Sequence, residues 1–83
     1  MKTKNKIHNL DIFTEYFNPV FCNVKNFEVR EKRDRNFKVG DTLILHEINK
    51  ITKEKTGRTV TKQIVYTLDD EQFCKTGYII LGF

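Results

Sequence analysis

Lys25-Asn26-Phe27-Glu28-Val29-Arg30 leads into Glu31-Lys32-Arg33-Asp34-Arg35-Asn36-Phe37 and closes on Val39-Gly40-Asp41. The first part has strand periodicity: Phe27 and Val29 alternate with Glu28 and Arg30, and strand side chains alternate faces. The alternation predicts that Phe27 and Val29 enter the core. The opposite face then carries a carboxylate and a guanidinium about 7 Å apart along the strand. Asp34-Arg35-Asn36 has the chemistry of a turn, and Phe37, Val39 and Gly40-Asp41 lead into the next apolar run. A charged strand, a charged turn and a tight Gly-Asp approach fit the wall and lip of a polar cleft. The competing reading is a solvated charged face, the commoner meaning of a charge run.

The rest of the chain sets the frame for that cleft. Its 83 residues make one domain. A chain of this size has a small core, and ten aromatics, seven of them Phe, supply much of its volume. Net charge is +4, and it is blocked. Residues 1–6 hold three lysines and no acid, residues 25–38 are net +3, and residues 50–62 are net +4. Such blocks favour polyanions, nucleic acid among them. No run approaches the ~20 apolar residues of a membrane helix, and the N-terminus lacks an apolar signal core. Cys22 and Cys74 have no CxxC or framework spacing; two thiols in a reducing cytoplasm are the simplest account, with a disulfide as the alternative. A cytoplasmic protein is expected.

Along the chain, residues 1–6 read as a flexible basic arm and residues 7–83 as one domain. Residues 7–12 form a short strand with His8 opposite Ile7, as a packed residue or a ligand contact. Ile12, Phe13, Tyr16, Phe17, Val20, Phe21 and Val24 make a helical stripe. Thr14 is the candidate N-cap and Asn23 the left-handed C-terminal residue. Pro19 either kinks this helix or starts a second one after Asn18. Residues 42–48 and 78–83 are apolar on both faces and read as strands covered on both sides. Residues 58–67 return from a lysine-rich connection that ends in the turn signal Thr56-Gly57. The resulting order is β-α-β-β-β-β, an α+β fold. Five strands and a helix are most economically arranged as a closed or nearly closed mixed barrel plugged by the helix, since closure removes edges.

The chemistry available is limited. The chain has no Ser, its two His and two Cys lack metal-ligand spacing, and its four glycines are far apart. No metal and no cofactor is expected. Lys, Glu and Arg remain, with Asp, Tyr and His. That set suits an anionic or base-like ligand, and acid–base chemistry if Lys25 or Glu28 were desolvated.

In order, the sequence presents Lys25-Asn26-Phe27-Glu28-Val29-Arg30, Asp34-Arg35-Asn36-Phe37, Val39-Gly40-Asp41-Thr42-Leu43 and Gly77-Tyr78-Ile79-Ile80-Leu81-Gly82. This order resembles the ASCH (activating-signal-cointegrator homology) domains of the PUA-like superfamily. Within them it is similar to small bacterial and phage ASCH-related proteins of unknown function. The likeness runs from His8 to the C-terminus. It departs at the motif's Gly, which is Asn23 or Val24 here, and at Pro19. The resemblance implies a five-stranded PUA-like pseudo-barrel, with a helix beside a cleft lined by the motif's Lys, Glu and Arg, and a role in RNA binding. The expected function is therefore a nucleic-acid-binding module, for RNA or a nucleotide-like ligand, working as a monomer with no membrane or metal. Lys25, Arg30 and Arg35 would contact phosphate or base edges, Glu28 would orient Arg30, and Asn36, Tyr78 and His8 would complete the ligand contacts. The alternative is a small hydrolase acting on a modified nucleoside, as some ASCH relatives do with a Lys, a Thr and a Glu. Lys25 matches that Lys, but the Thr position falls on Glu28.

Overall fold

The structure is a computed structural model, and it describes residues 4–83. Strand β1 (Ile7–Phe13) runs directly into helix α1 (Thr14–Phe21), followed by β2 (Phe27–Glu31), β3 (Thr42–Ile48), β4 (Lys55–Gln63), β5 (Tyr66–Leu68) and β6 (Tyr78–Gly82). Among the described residues the fold is α+β, with one helix and six strands. These strands form two three-stranded sheets, ordered β1-β3-β4 and β2-β6-β5, and not one closed barrel. β1 pairs in parallel with β3; every other pairing is antiparallel. The two segments predicted to be covered on both faces, β3 and β6, are the middle strands of the two sheets.

The count exceeds the predicted five because the returning strand is broken. Ile64 is buried at the break; its N–H donates to the Asp41 carbonyl and its own carbonyl accepts from Gly40, both at 2.8 Å. The chain thus leaves the first sheet after Gln63 and joins the second, where the Val65 N–H donates to the Gly82 carbonyl. Thr56 and Gly57 lie within β4, and the hairpin turn falls at residues 49–54. Gly40, with φ of +96°, makes the turn before β3, and a Cβ there would sit 2.9 Å from the Asn5 amide.

The helix is shorter than its apolar stripe. Ile12 and Phe13 complete β1, and Phe13, not Thr14, is the N-cap, without a side-chain cap bond. Pro19 lies inside the single helix. The end follows the Schellman pattern: Asn23 has φ of 59°, its N–H donates to the Val20 carbonyl, and the Val24 N–H donates to the Pro19 carbonyl. Phe17 and Val20 are the helix's buried residues, and they pack with Leu10, Ile12, Leu43, Leu45, Ile79 and Leu81 in one core. Burial of this set is the main source of stability. No helix among the described residues is long and apolar enough to cross a membrane. Residues 1–3 of the basic arm lie outside the described residues. Its last residue is tied to the fold, for Lys6 donates its N–H to Asp41 and accepts from the Thr42 N–H.

Candidate functional site: the cleft between two strand edges

β2 shows the alternation that its sequence predicts, with the faces exchanged. Glu28 is 5% exposed, while Phe27 and Val29 are about half exposed at 46% and 52%. The expectation that Phe27 and Val29 enter the core is thus overturned. The cause is electrostatic. Lys25 Nζ donates to Glu28 Oε1 at 2.6 Å, and Arg30 Nε donates to Oε2 at 3.3 Å. An ionised carboxylate flanked by two cations can be desolvated where an unpaired one could not. With the inward positions taken by this cluster, the apolar residues are left outside.

β1 and β2 are edge strands of different sheets. Between them lies a cleft of about 250 Å³, lined by Asp11, Ile12 and Phe13 of β1, Glu28 to Glu31 of β2, Tyr16 of the helix and Ile48. The Arg30 guanidinium spans it, donating from Nη2 to the Asp11 carbonyl at 2.8 Å. Arg30 thereby occupies a backbone acceptor on the β1 edge that no strand among the described residues covers. Lys25 Nζ also sits 5.2 Å from the Tyr16 ring centroid, within cation–π range. Arg30 and Asp11 continue into a second, wider groove of about 730 Å³, whose lining includes Lys32, Arg33, Arg35, His46 and Lys55.

Of the residues predicted for the site, Lys25, Glu28 and Arg30 come together. Arg35 lines the wider groove with Arg30, and no bond joins it to Glu28 among the described residues. Asn36 lines a third, shallow hollow with Lys6, His8 and Arg35. Tyr78 is on β6 opposite Glu31, with Lys75 Nζ 5.3 Å from its ring, and lines none of these clefts. His8 is buried, with its ring 4.5 Å from that of Phe37 and its Nε2 2.8 Å from Asp41 Oδ2. Burial raises the Asp41 pKa, but the N–H groups of Lys6 and Lys38 and the His8 ring outweigh it, and the carboxyl ends below its ordinary value. Ionised, Asp41 only accepts, so His8 Nε2 donates. Among the described residues no three His, Cys, Asp or Glu side chains come together as metal ligands.

One cluster escaped the sequence reading. Glu47 is 3% exposed and receives both Nε (2.8 Å) and Nη2 (2.9 Å) of Arg58, together with the Thr56 hydroxyl. Arg58 also donates to Asn18 of the helix and lies 4.9 Å from the Phe17 ring. Arg58 falls opposite Glu47 in the register that pairs His46 with Thr59, and the shift that pairs Ile48 with Lys55 lies on the Thr56 side of it. The signal was present in β3, where Glu47 shares the inward period of Leu43 and Leu45 and so needs a partner. Hydrogen bonds from Arg58 and Thr56 hold the Glu47 carboxyl down at about 2. Its usual value is higher, so this group adds stability that is complete above pH 4.5 and lost as pH falls toward 2. The stability gap between wild type and Glu47→Gln, followed by thermal melts, is expected to be widest near neutrality and to close across that window. A gap independent of pH would show that the carboxylate is not the source.

Fold and site together define a small α+β domain with a charged cleft at the junction of two sheets. The chain belongs to the family described as domain of unknown function (DUF3850), whose model matches residues 7–83. It is also similar to the "Uncharacterized 12.9 kDa protein in GpA 3'region" of Escherichia phage P2, with 42% identity over 64 residues, 77% of this chain. The chain spans 56% of the length of that relative.

Proposed function

We propose that this domain is a PUA-like nucleic-acid-binding module that takes single-stranded RNA at the cleft between β1 and β2. The observation that carries the reading is Arg30, which belongs both to the cleft around Glu28 and to the wider groove beside it. The groove supplies Lys32, Arg33, Arg35 and Lys55 against Asp11, Glu31 and Asp34, a cationic excess suited to a phosphate backbone. The cleft supplies Tyr16 for stacking and Glu28 as an acceptor for a base amine. Arg30 is fixed by two acceptors, so the donors it has left lose little freedom on binding a phosphate or base edge. The hydrolase alternative has less to support it, because no threonine among the described residues lines the cleft and the Lys25 ammonium is engaged by Glu28.

Binding to a mixed RNA pool is expected to be weak and to fall steeply with salt, with a log–log slope of about −0.7 per phosphate contact. Anisotropy titrations at two salt concentrations measure it. Absence of binding at low salt would overturn the proposal.

A further inference from the structure

The exchanged faces of β2 leave an apolar surface on the outside of the second sheet. Paired residues of antiparallel strands share a face, so the register sorts this surface into rows. Phe27, Gly82 and Tyr66 form the first row; Val29, Ile80 and Leu68 form the second; Glu31 and Tyr78 start the third. The first row differs from the others, since its middle residue has no side chain. Phe27 and Tyr66, 46% and 62% exposed, therefore stand on either side of a gap floored by Gly82. They are two strand spacings apart, about 10 Å. Aromatic rings pair with centroids about 4.5–7 Å apart, so a third ring between two others needs them about 9–14 Å apart. At that ideal strand spacing the gap is of the order that one planar ring needs.

We propose that this slot binds an unpaired nucleobase of a single-stranded nucleic acid, stacked between Phe27 and Tyr66 over Gly82. The proposal shares its ligand class with the reading above but uses the opposite face of β2. Two observations favour a nucleic acid over a second copy of the chain. Three strands of five, five and three residues give a face of only about 14 by 17 Å, about 240 Å². A stable dimer buries about 800 Å² on each partner. The charge also suits a phosphate: Lys25 Nζ lies 5.3 Å from the Phe27 ring centroid, and of its three N–H donors one serves Glu28 Oε1 at 2.6 Å, which leaves others for a phosphate oxygen. The acidic residues 69–71 follow β5 at the far end, beyond Leu68, and confine a polyanion to the first row.

Gly82 provides the test. It does not have a positive φ, and a Cβ there would lie 3.4 Å from the Tyr66 Cβ, an ordinary contact. Gly82→Val therefore adds bulk to the slot at a position that needs no positive φ, and an unchanged melting temperature verifies that the fold accepts it. The probe is an oligouridylate labelled for anisotropy, titrated at low salt into wild type, Gly82→Val, Tyr66→Leu and Arg30→Ala. Each stacked base contributes enough that Gly82→Val and Tyr66→Leu are expected to weaken binding by about 5-fold to 100-fold. Wild-type affinity in both variants alongside a loss in Arg30→Ala would overturn the slot and leave the cleft standing. Loss in the slot variants alone would uphold the slot and remove the cleft. No binding by wild type overturns both. Sedimentation showing a wild-type dimer that Gly82→Val dissociates would overturn the slot in favour of self-association.

Discussion

Replacing Glu28 by alanine is expected to cost about 3 kcal/mol, and Glu28→Ala combined with Arg30→Ala to cost less. The Glu28 side chain is 6% exposed, whereas those of Lys25 and Arg30 are 20% and 23% exposed. Removing the carboxylate alone leaves two clustered, partly desolvated cations repelling each other. Removing Arg30 as well leaves only Lys25, whose flexible stem can carry its ammonium to water. The cost of the single change lies toward the low end for a broken buried pair, because both cations keep some solvent. Denaturant melts of the two single variants and the double variant give the coupling energy. A coupling near zero would mean that the three charges are independently solvated, and the cleft would lose its electrostatic basis.

Asp41→Ala is expected to be of similar size, about 3 kcal/mol. Asp41 is 2% exposed and accepts from Lys6 N–H (3.0 Å), Lys38 N–H (3.0 Å) and His8 Nε2 (2.8 Å). Each partner left without an acceptor costs about 1–3 kcal/mol when buried, and two of the three are only part-buried. Loss of the carboxylate also frees the start of β1 from the start of β3, on which the parallel pairing depends. For a domain of this size that is a large share of a total of about 5–10 kcal/mol. Asp41→Asn keeps the shape but places an amide donor where two acceptor oxygens served three donors, so it should recover only part of the loss. Urea midpoints of the two variants decide; a midpoint within error of wild type for Asp41→Ala would show that water replaces the carboxylate at no cost.

Much of this architecture is legible in the sequence, because local patterns report it. Strand periodicity in residues 7–12 and 27–30 and the double-sided apolar runs at residues 42–48 and 78–83 point to strands where β1, β2, β3 and β6 occur, the last ending one residue earlier at Gly82. Asn23 takes the left-handed conformation expected of it. What escaped depends on contacts across long separations. Phe27-Glu28-Val29-Arg30 alternates whichever face is inward, and the choice was decided by Lys25 and by the Asp11 carbonyl, which sequence order does not place beside Arg30. Ile64 looks like the middle of a strand, yet its bonds to Gly40 and Asp41 turn it into a crossing between sheets. Thr14 and Ile12 show how an apolar stripe can run past a helix start, with β1 supplying the first two members of the helical pattern. The pairing of Glu47 with Arg58 depends on the cross-strand register of β3 and β4, which no local motif announces.

The central claim is that the cleft around Glu28 and Arg30 binds single-stranded RNA. A short oligonucleotide titrated into isotope-labelled protein at low salt, followed by NMR residue by residue, tests it most directly. The account predicts saturable shifts at Asp11, Tyr16, Glu28 and Arg30, extending to Lys32 and Arg35 and abolished by Arg30→Ala. Shifts confined to the lysines of residues 50–62, or none at all, would contradict it.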